Sequence, residues 1–203
     1  KLEKAVKSFS LSIANKICAD IGASTGGFTD CMLQNGAARV YAVDVGYGQL
    51  DWRLRSDPRV VVLERTNARY LTREQIPEPL GLVTIDASFI SLTLLLPVLP
   101  ALMKEQADLV CLIKPQFEAG RDKVGKNGVV RDQSVHREVI RKVADFGLEL
   151  GLSPQGLDFS PITGPKGNIE YLLHLVYAPG GERLSDQLIR EMVEKAHLTL
   201  AQG

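Results

Sequence analysis

The chain lacks a net charge: in 203 residues Lys plus Arg and Asp plus Glu number 24 each. That balance excludes a global field for drawing in a polyanion, so any nucleic-acid surface has to be a local patch. It also lacks an apolar run long enough to span a bilayer. Its most apolar stretch, Ile90–Met103, is short and interrupted by Pro97 and Pro100. Cysteine is scarce, at Cys18, Cys31 and Cys111, with no C-x-x-C spacing, which argues against a metal site. An odd cysteine count without a signal peptide suits a reducing cytoplasm. Cys18 and Cys111 fall within apolar, strand-like runs and read as small buried hydrophobes. There is no internal repeat and no low-complexity tract.

What is present is 45% hydrophobic residues, enough for a real core, and an alternation of short apolar runs with longer helical patterns. The pattern predicts strands at Lys16–Ile21, Arg39–Asp44, Arg59–Leu63, Leu82–Asp86 and Asp108–Lys114. It predicts helices at Gly27–Gln34, stopped by Gly36, at Leu92–Lys104 and at Gln133–Leu150. In the last, Val139, Val143, Phe146 and Leu150 recur along one face. Two more strands, Leu152–Ser160 and Ile169–Ala178, are separated by Pro161–Asn168. That linker is too short for a parallel crossover and implies an antiparallel hairpin. The expected architecture is α/β: a doubly wound, mostly parallel seven-stranded sheet with a C-terminal antiparallel hairpin. It comprises a domain over 1–180 and a charged helical tail over 181–203.

The chemistry-bearing residues gather where strands end. Asp20–Phe28, D-I-G-A-S-T-G-G-F, spans the end of the first strand and the start of a helix. Glycines there allow positive φ and close approach of a ligand, and a helix N-terminus offers free N–H groups. The spacing is neither G-x-G-x-x-G nor the G-K-[ST] of a phosphate loop. Asp44 ends the second strand, where a carboxylate accepts hydrogen bonds from ribose hydroxyls. Together these features fit an adenosyl ligand without a pyrophosphate; singly, each is equally a tight turn or a surface carboxylate. Asp86 ends the fourth strand and Lys114 the fifth, both at the ligand-facing edge of an open sheet. A buried carboxylate calls for a cation. The two read either as a plain ion pair or as a functional one, and the small net stability of buried pairs favours the second. Glu170 opens the last strand, where a lone glutamate is ordinarily solvated.

Six segments, D-I-G-A-S-T-G-G-F-T, A-V-D-V-G-Y-G-Q-L, E-R-T-N-A-R, D-A-S-F-I-S, I-K-P-Q-F-E and G-N-I-E-Y, lie in this order between about Lys1 and Tyr177. They resemble the TlyA-type proteins, called hemolysins but grouped with the FtsJ-like ribosomal RNA 2′-O-methyltransferases. The resemblance implies a Rossmann-like fold, S-adenosyl-L-methionine as cofactor and ribosomal RNA or ribosomal subunits as partners; the residues themselves give no reason to expect a metal or a membrane. It also implies a Lys-Asp-Lys-Glu tetrad, which by motif is Lys1, Asp86, Lys114 and Glu170. Asp20, Gly22, Ser24, Gly27 and Phe28 would border the methionine part of the cofactor, with Asp86 beside it. Asp44 would hold the ribose and Asn67 would lie near the adenine, although Asn67 reads equally as a turn former. Family members carry an N-terminal S4-type RNA-binding domain that this sequence does not contain, so a piece of a longer protein is expected.

In such chemistry a ribose hydroxyl loses its proton while meeting the sulfonium methyl in line. Lys114 is expected at the centre, as a base if neutral or a support for the forming alkoxide if charged. Asp86 orients it, and Lys1 and Glu170 shape the polar pocket. RNA contacts are expected from the Gln116–Arg131 loop through Arg121, Lys123, Lys126 and Arg131, extended by Arg65 and Arg69; a solvated loop is the alternative. Three other function classes compete. An NAD-type oxidoreductase lacks its glycine spacing. A membrane-active hemolysin lacks a spanning or basic amphipathic helix. A non-catalytic RNA-binding protein has no need of the four tetrad residues.

Overall fold

The computed structural model describes residues 1–200. Seven strands form one sheet in the order β3-β2-β1-β4-β5-β7-β6. They are β1 (Ile17–Ile21), β2 (Arg39–Val43), β3 (Val60–Leu63), β4 (Leu80–Ile85), β5 (Met103–Ile113), β6 (Leu152–Phe159) and β7 (Tyr171–Tyr177). The first five run parallel, and β7 enters antiparallel between β5 and β6. Parallel strands need both faces covered, which explains their near-continuous Val, Ile and Leu; all six residues of β4 are buried. On one face lie α1 (Leu2–Ser8), α2 (Gly27–Gln34) and α3 (Trp52–Arg55), around a core that includes Leu2, Ala5, Met32 and Leu54. On the other lie α4 (Leu92–Leu95), α6 (Gln133–Glu149) and α7 (Asp186–Leu200), which bury Leu92, Val139, Ile140, Val143 and Val193. Chain order reverses between β1 and β4, which pair directly through Ile21 and Ile85. Ligands in open α/β sheets bind outside the carboxyl ends at such a switch point.

Most strand expectations hold to within a residue or two, and the C-terminal hairpin forms with Phe159 opposite Tyr171. The predicted helix over Leu92–Lys104 does not form as one element. It stops at Leu95, a 3₁₀ turn covers Leu96–Val98, and β5 already begins at Met103. Pro97 and Pro100 explain this: each lacks an N–H donor and restricts the residue before it. The short helices α1 and α3, of 7 and 4 residues, and α5 (Pro115–Glu118) are below the length at which periodicity is legible. Of the tail expected over 181–203, Asp186–Leu200 is helical and packs Ile189, Val193 and Ala196 inward; residues 201–203 lie outside the described part. Cys18 and Cys111 are fully buried. Burial pushes the Cys18 thiol up to about 12 and raises that of Cys111 further, so both stay protonated and inert.

Candidate active site

Gly22 follows β1 with φ +79, and a Cβ there would come within 2.1 Å of the Asp86 carbonyl oxygen. Glycine is therefore what lets the ends of β1 and β4 close on each other. After β2, Asp44 accepts from the backbone N–H groups of Ser24 at 2.7 Å and Gly46 at 2.8 Å. Between these strand ends lies a cavity of about 340 Å³ whose lining includes Gly22, Ser24, Asp44, Asn67 and Asp86. Ile21, Val43, Val45, Ala68, Ile90 and Leu95 give it apolar walls. Asn67 also forms a turn, its Oδ1 accepting from the Arg69 N–H at 3.0 Å.

Three residues expected around the methionine part are not on the wall of this cavity. Gly27 and Phe28 line a separate cleft of about 270 Å³ with Lys1 and Glu3, because the turn at Gly26 sends α2 towards α1. Asp20 is fully buried on β1, behind the cavity wall. Its Oδ2 accepts from the Thr29 hydroxyl at 2.7 Å, and its Oδ1 has no partner. Burial, helped by the charge of Asp86 and opposed by Thr29, pushes its carboxyl up to about 7. The folded-state value exceeds the unfolded one, so the neutral carboxyl is the form that stabilises the fold. That contribution is complete below pH about 4 and is lost as pH rises to about 7. A rise of this size corresponds to roughly 4 kcal/mol at most. In thermal melts, Asp20→Asn should gain Tm over the wild-type chain progressively across this window; parallel curves would contradict the assignment.

The four tetrad candidates meet at the same edge. Lys114 Nζ lies 2.5 Å from Asp86 Oδ1 and 3.9 Å from Glu170 Oε2, and donates to Ser88 Oγ at 3.2 Å. Lys1 Nζ donates to Glu170 Oε1 at 2.7 Å. Register explains the meeting: Ile113 pairs with Tyr171, which sets Lys114 beside Glu170. Along α1, Lys4 Nζ donates to the Phe159 carbonyl at 2.7 Å and Ser8 Oγ to Asp158 at 2.6 Å, fixing the helix that Lys1 precedes. The Glu170 side chain is 1% exposed and that of Lys114 8%. Glu170 is thus not the solvated carboxylate that its position suggests; two cations make its burial tolerable. Two positive and two negative groups balance, and Asp86, on the cavity wall, opens the cluster towards the ligand space.

Sequence reasoning missed several residues. Glu118 accepts from Ser91 Oγ at 2.6 Å and from the Leu92 N–H at 2.8 Å, tying I-K-P-Q-F-E to D-A-S-F-I-S. Phe89 has φ +65, is 90% exposed on the cavity rim and leans on Phe117 with ring centroids 4.9 Å apart. An aromatic residue in the left-handed region is strained, a feature that clusters at functional sites. Asn168 bonds to Gly128 and Val130, which its place in G-N-I-E-Y could have signalled.

The model of the FtsJ-like methyltransferase family matches residues 1–177. The chain belongs to this family. A Bacillus subtilis protein provisionally named an rRNA methyltransferase, YqxC, is 55% identical over 98% of this chain and 73% of its own length. The Mycobacterium tuberculosis protein named 16S/23S rRNA (cytidine-2′-O)-methyltransferase TlyA is 52% identical over 86% of this chain. The match spans 65% of that relative, just under two thirds of its length. A solved structure described as a hemolysin, from Streptococcus thermophilus, superposes with a TM-score of 0.96 at 49% identity, covering 100% of this chain and 74% of that one.

S-adenosylmethionine is the cofactor of this FtsJ-like methyltransferase, and the cavity fits it. Carboxylates of Asp44 and Asp86 on its wall would suit a ligand that carries a sulfonium, apolar walls would suit an adenine ring, and Gly22 leaves room at the strand ends. Among the described residues no group of three or more His, Cys, Asp or Glu is placed to hold a metal, and no helix is long and apolar enough to cross a membrane. Arg65, Arg69, Arg121, Lys123, Lys126 and Arg131 are all exposed. Lys123 is occupied by Glu138, 2.8 Å from each carboxylate oxygen. Arg65 lies over the Tyr47 ring at 4.3 Å. The Gln116–Arg131 loop is built of short turns rather than free chain, with 3₁₀ turns at Arg121–Lys123 and Lys126–Gly128.

Proposed function

We propose that this chain is the methyltransferase part of a cytoplasmic enzyme that methylates ribose 2′-hydroxyls of ribosomal RNA. The observation that carries the reading is the buried Lys114 amine, 2.5 Å from Asp86 at the rim of the cofactor cavity, with Glu170 and Lys1 behind it. The family membership and the activity named for the Mycobacterium relative support it. The cofactor, when bound, supplies an electrophilic methyl on a sulfonium. The protein's part is to hold the acceptor oxygen in line and to manage its proton. Lys114 is the group that meets that oxygen and proton. Asp86 fixes the direction of the Lys114 amine. Lys1 and Glu170 balance the remaining charge, so that the amine is not drawn away by an uncompensated carboxylate.

Acceptor RNA would be held by cations on two flanks of this edge, Arg65 and Arg69 after β3 and Arg121, Lys126 and Arg131 after β5. Phe89 on the rim offers a face for an unstacked base. Stacking of one base is worth about 1–3 kcal/mol, so Phe89→Ala should raise KM for RNA roughly 5- to 150-fold; an unaltered KM would remove Phe89 from RNA recognition. The function itself is tested by incubating the chain with methyl-labelled S-adenosylmethionine and either ribosomal RNA or ribosomal subunits. Digestion to nucleosides should release a labelled 2′-O-methyl nucleoside. Label on a base, or no transfer to either substrate, would overturn the reading.

A further inference from the structure

Tyr171 directly follows Glu170, and its side chain is fully buried. Its hydroxyl lies 2.7 Å from Nδ1 of His136, a residue of the first turns of α6 that is itself 1% exposed. The other ring nitrogen, Nε2, lies 2.8 Å from the Val130 carbonyl oxygen. A carbonyl only accepts, so Nε2 carries the proton, Nδ1 of the neutral ring is an acceptor, and the Tyr171 hydroxyl donates to it. Asn168, two residues before Glu170, completes a loop of bonds: its Oδ1 accepts from the Val130 N–H at 3.1 Å and its Nδ2 donates to the Gly128 carbonyl at 2.9 Å. Val130 is thereby gripped at its N–H by Asn168, which precedes Glu170, and at its C=O by His136, which in turn holds Tyr171, the residue after Glu170.

We infer that His136 is a positioning residue that locks the base of the Gln116–Arg131 loop to the strand start carrying Glu170, through Tyr171 on one side and Val130 on the other. The two segments it joins have different tasks. One sets the carboxylate that lies between Lys1 and Lys114; the other carries Arg121, Lys126 and Arg131. Held in one frame, RNA seated on the loop is in register with the tetrad. The lock depends on a neutral imidazole, and burial, seconded by the neighbouring His197, depresses its value to about 4, so it stays neutral through the physiological range. Neither His136 nor Tyr171 lines the cofactor cavity, so cofactor binding is independent of the lock.

Tyr171→Phe removes one buried oxygen with little change of shape, and His136→Leu removes both the donor to Val130 and the acceptor for Tyr171. In the full chain, each should speed amide exchange at residues 128–131 and 168–171 together by about tenfold. Each should also lower kcat on ribosomal RNA by about tenfold and leave the calorimetric affinity for S-adenosylmethionine within about twofold of wild type. The kinetic part rests on the methyl-transfer reading; the exchange part does not. Faster exchange in only one segment, or in neither, overturns the lock, as does turnover equal to wild type or a loss of cofactor affinity parallel to the loss of turnover. If the wild-type chain transfers no methyl to RNA, the proposed function fails and the exchange result alone decides the lock.

Discussion

Replacing Lys114 with alanine should all but end methyl transfer: turnover on ribosomal RNA is expected to fall by roughly 10²–10⁴-fold, the range typical of losing a positioned proton-transfer group. Binding of S-adenosylmethionine stays close to wild type, because the cavity wall is contributed by Gly22, Ser24, Asp44, Asn67 and Asp86 and does not include Lys114. Lys114→Arg does not rescue, since a planar guanidinium cannot take the place of a compact amine between Asp86, Ser88 and Glu170. Removing one partner of a buried pair typically costs about 3–5 kcal/mol. The cost here is expected below that range, because Asp86 is partly solvated and Glu170 keeps its bond to Lys1. A thermal melt therefore separates loss of chemistry from loss of fold. Near-native turnover in the alanine variant removes Lys114 from the mechanism.

Gly22→Ala should have the largest effect on the cofactor cradle. The added carbon would overlap the Asp86 backbone, 2.1 Å from its carbonyl oxygen and 2.8 Å from its carbonyl carbon. Neither can swing aside as a flexible side chain would. The φ of +79 adds roughly 1–3 kcal/mol of strain for a non-glycine residue. The strands must separate where the cavity and the Asp86–Lys114 pair meet, so affinity for S-adenosylmethionine and turnover should both fall by at least about tenfold. Tm should drop by about 2–4 °C for each kcal/mol lost. Gly48→Ala, at a positive-φ glycine with open space around it, is the control: it carries the strain without the overlap. Equal losses of cofactor affinity in the two variants would show that strain, and not the close approach of β1 and β4, is what matters.

Strand placement was legible because parallel strands covered on both faces are written as unbroken apolar runs, as in L-G-L-V-T-I of β4. Asp86 and Lys114 were legible because a charged residue ending such a run has few reasons to be there other than a partner or a ligand. The register that seats β7 between β5 and β6, and so sets Glu170 beside Lys114, was not; pairing between elements distant in sequence leaves no local trace. For the same reason Glu170 read as a solvated strand-start residue, while the structure sandwiches it between two lysines. Gly27 and Phe28 were placed near the cofactor by the resemblance, and in the structure the turn at Gly26 leads them into the cleft beside α1. Leu92–Lys104 misled because its apolar content suits both a helix and the irregular run into β5, and the two prolines decided between them. His136 gave no signal, since a histidine on the apolar face of a helix announces nothing about what it bonds.

We propose that the Lys114 amine, held by Asp86 and flanked by Glu170 and Lys1, drives methylation of a ribose hydroxyl in ribosomal RNA. The most direct measurement is nucleoside-resolved mass spectrometry of ribosomal RNA from cells lacking the protein, complemented either with the full-length wild-type protein or with its Lys114→Ala variant. The expected result is a 2′-O-methylated nucleotide that is absent from the deletion strain, restored by the wild-type protein and not by the variant. Restoration by Lys114→Ala, or a ribosomal RNA methylation pattern identical in all three strains, would contradict it.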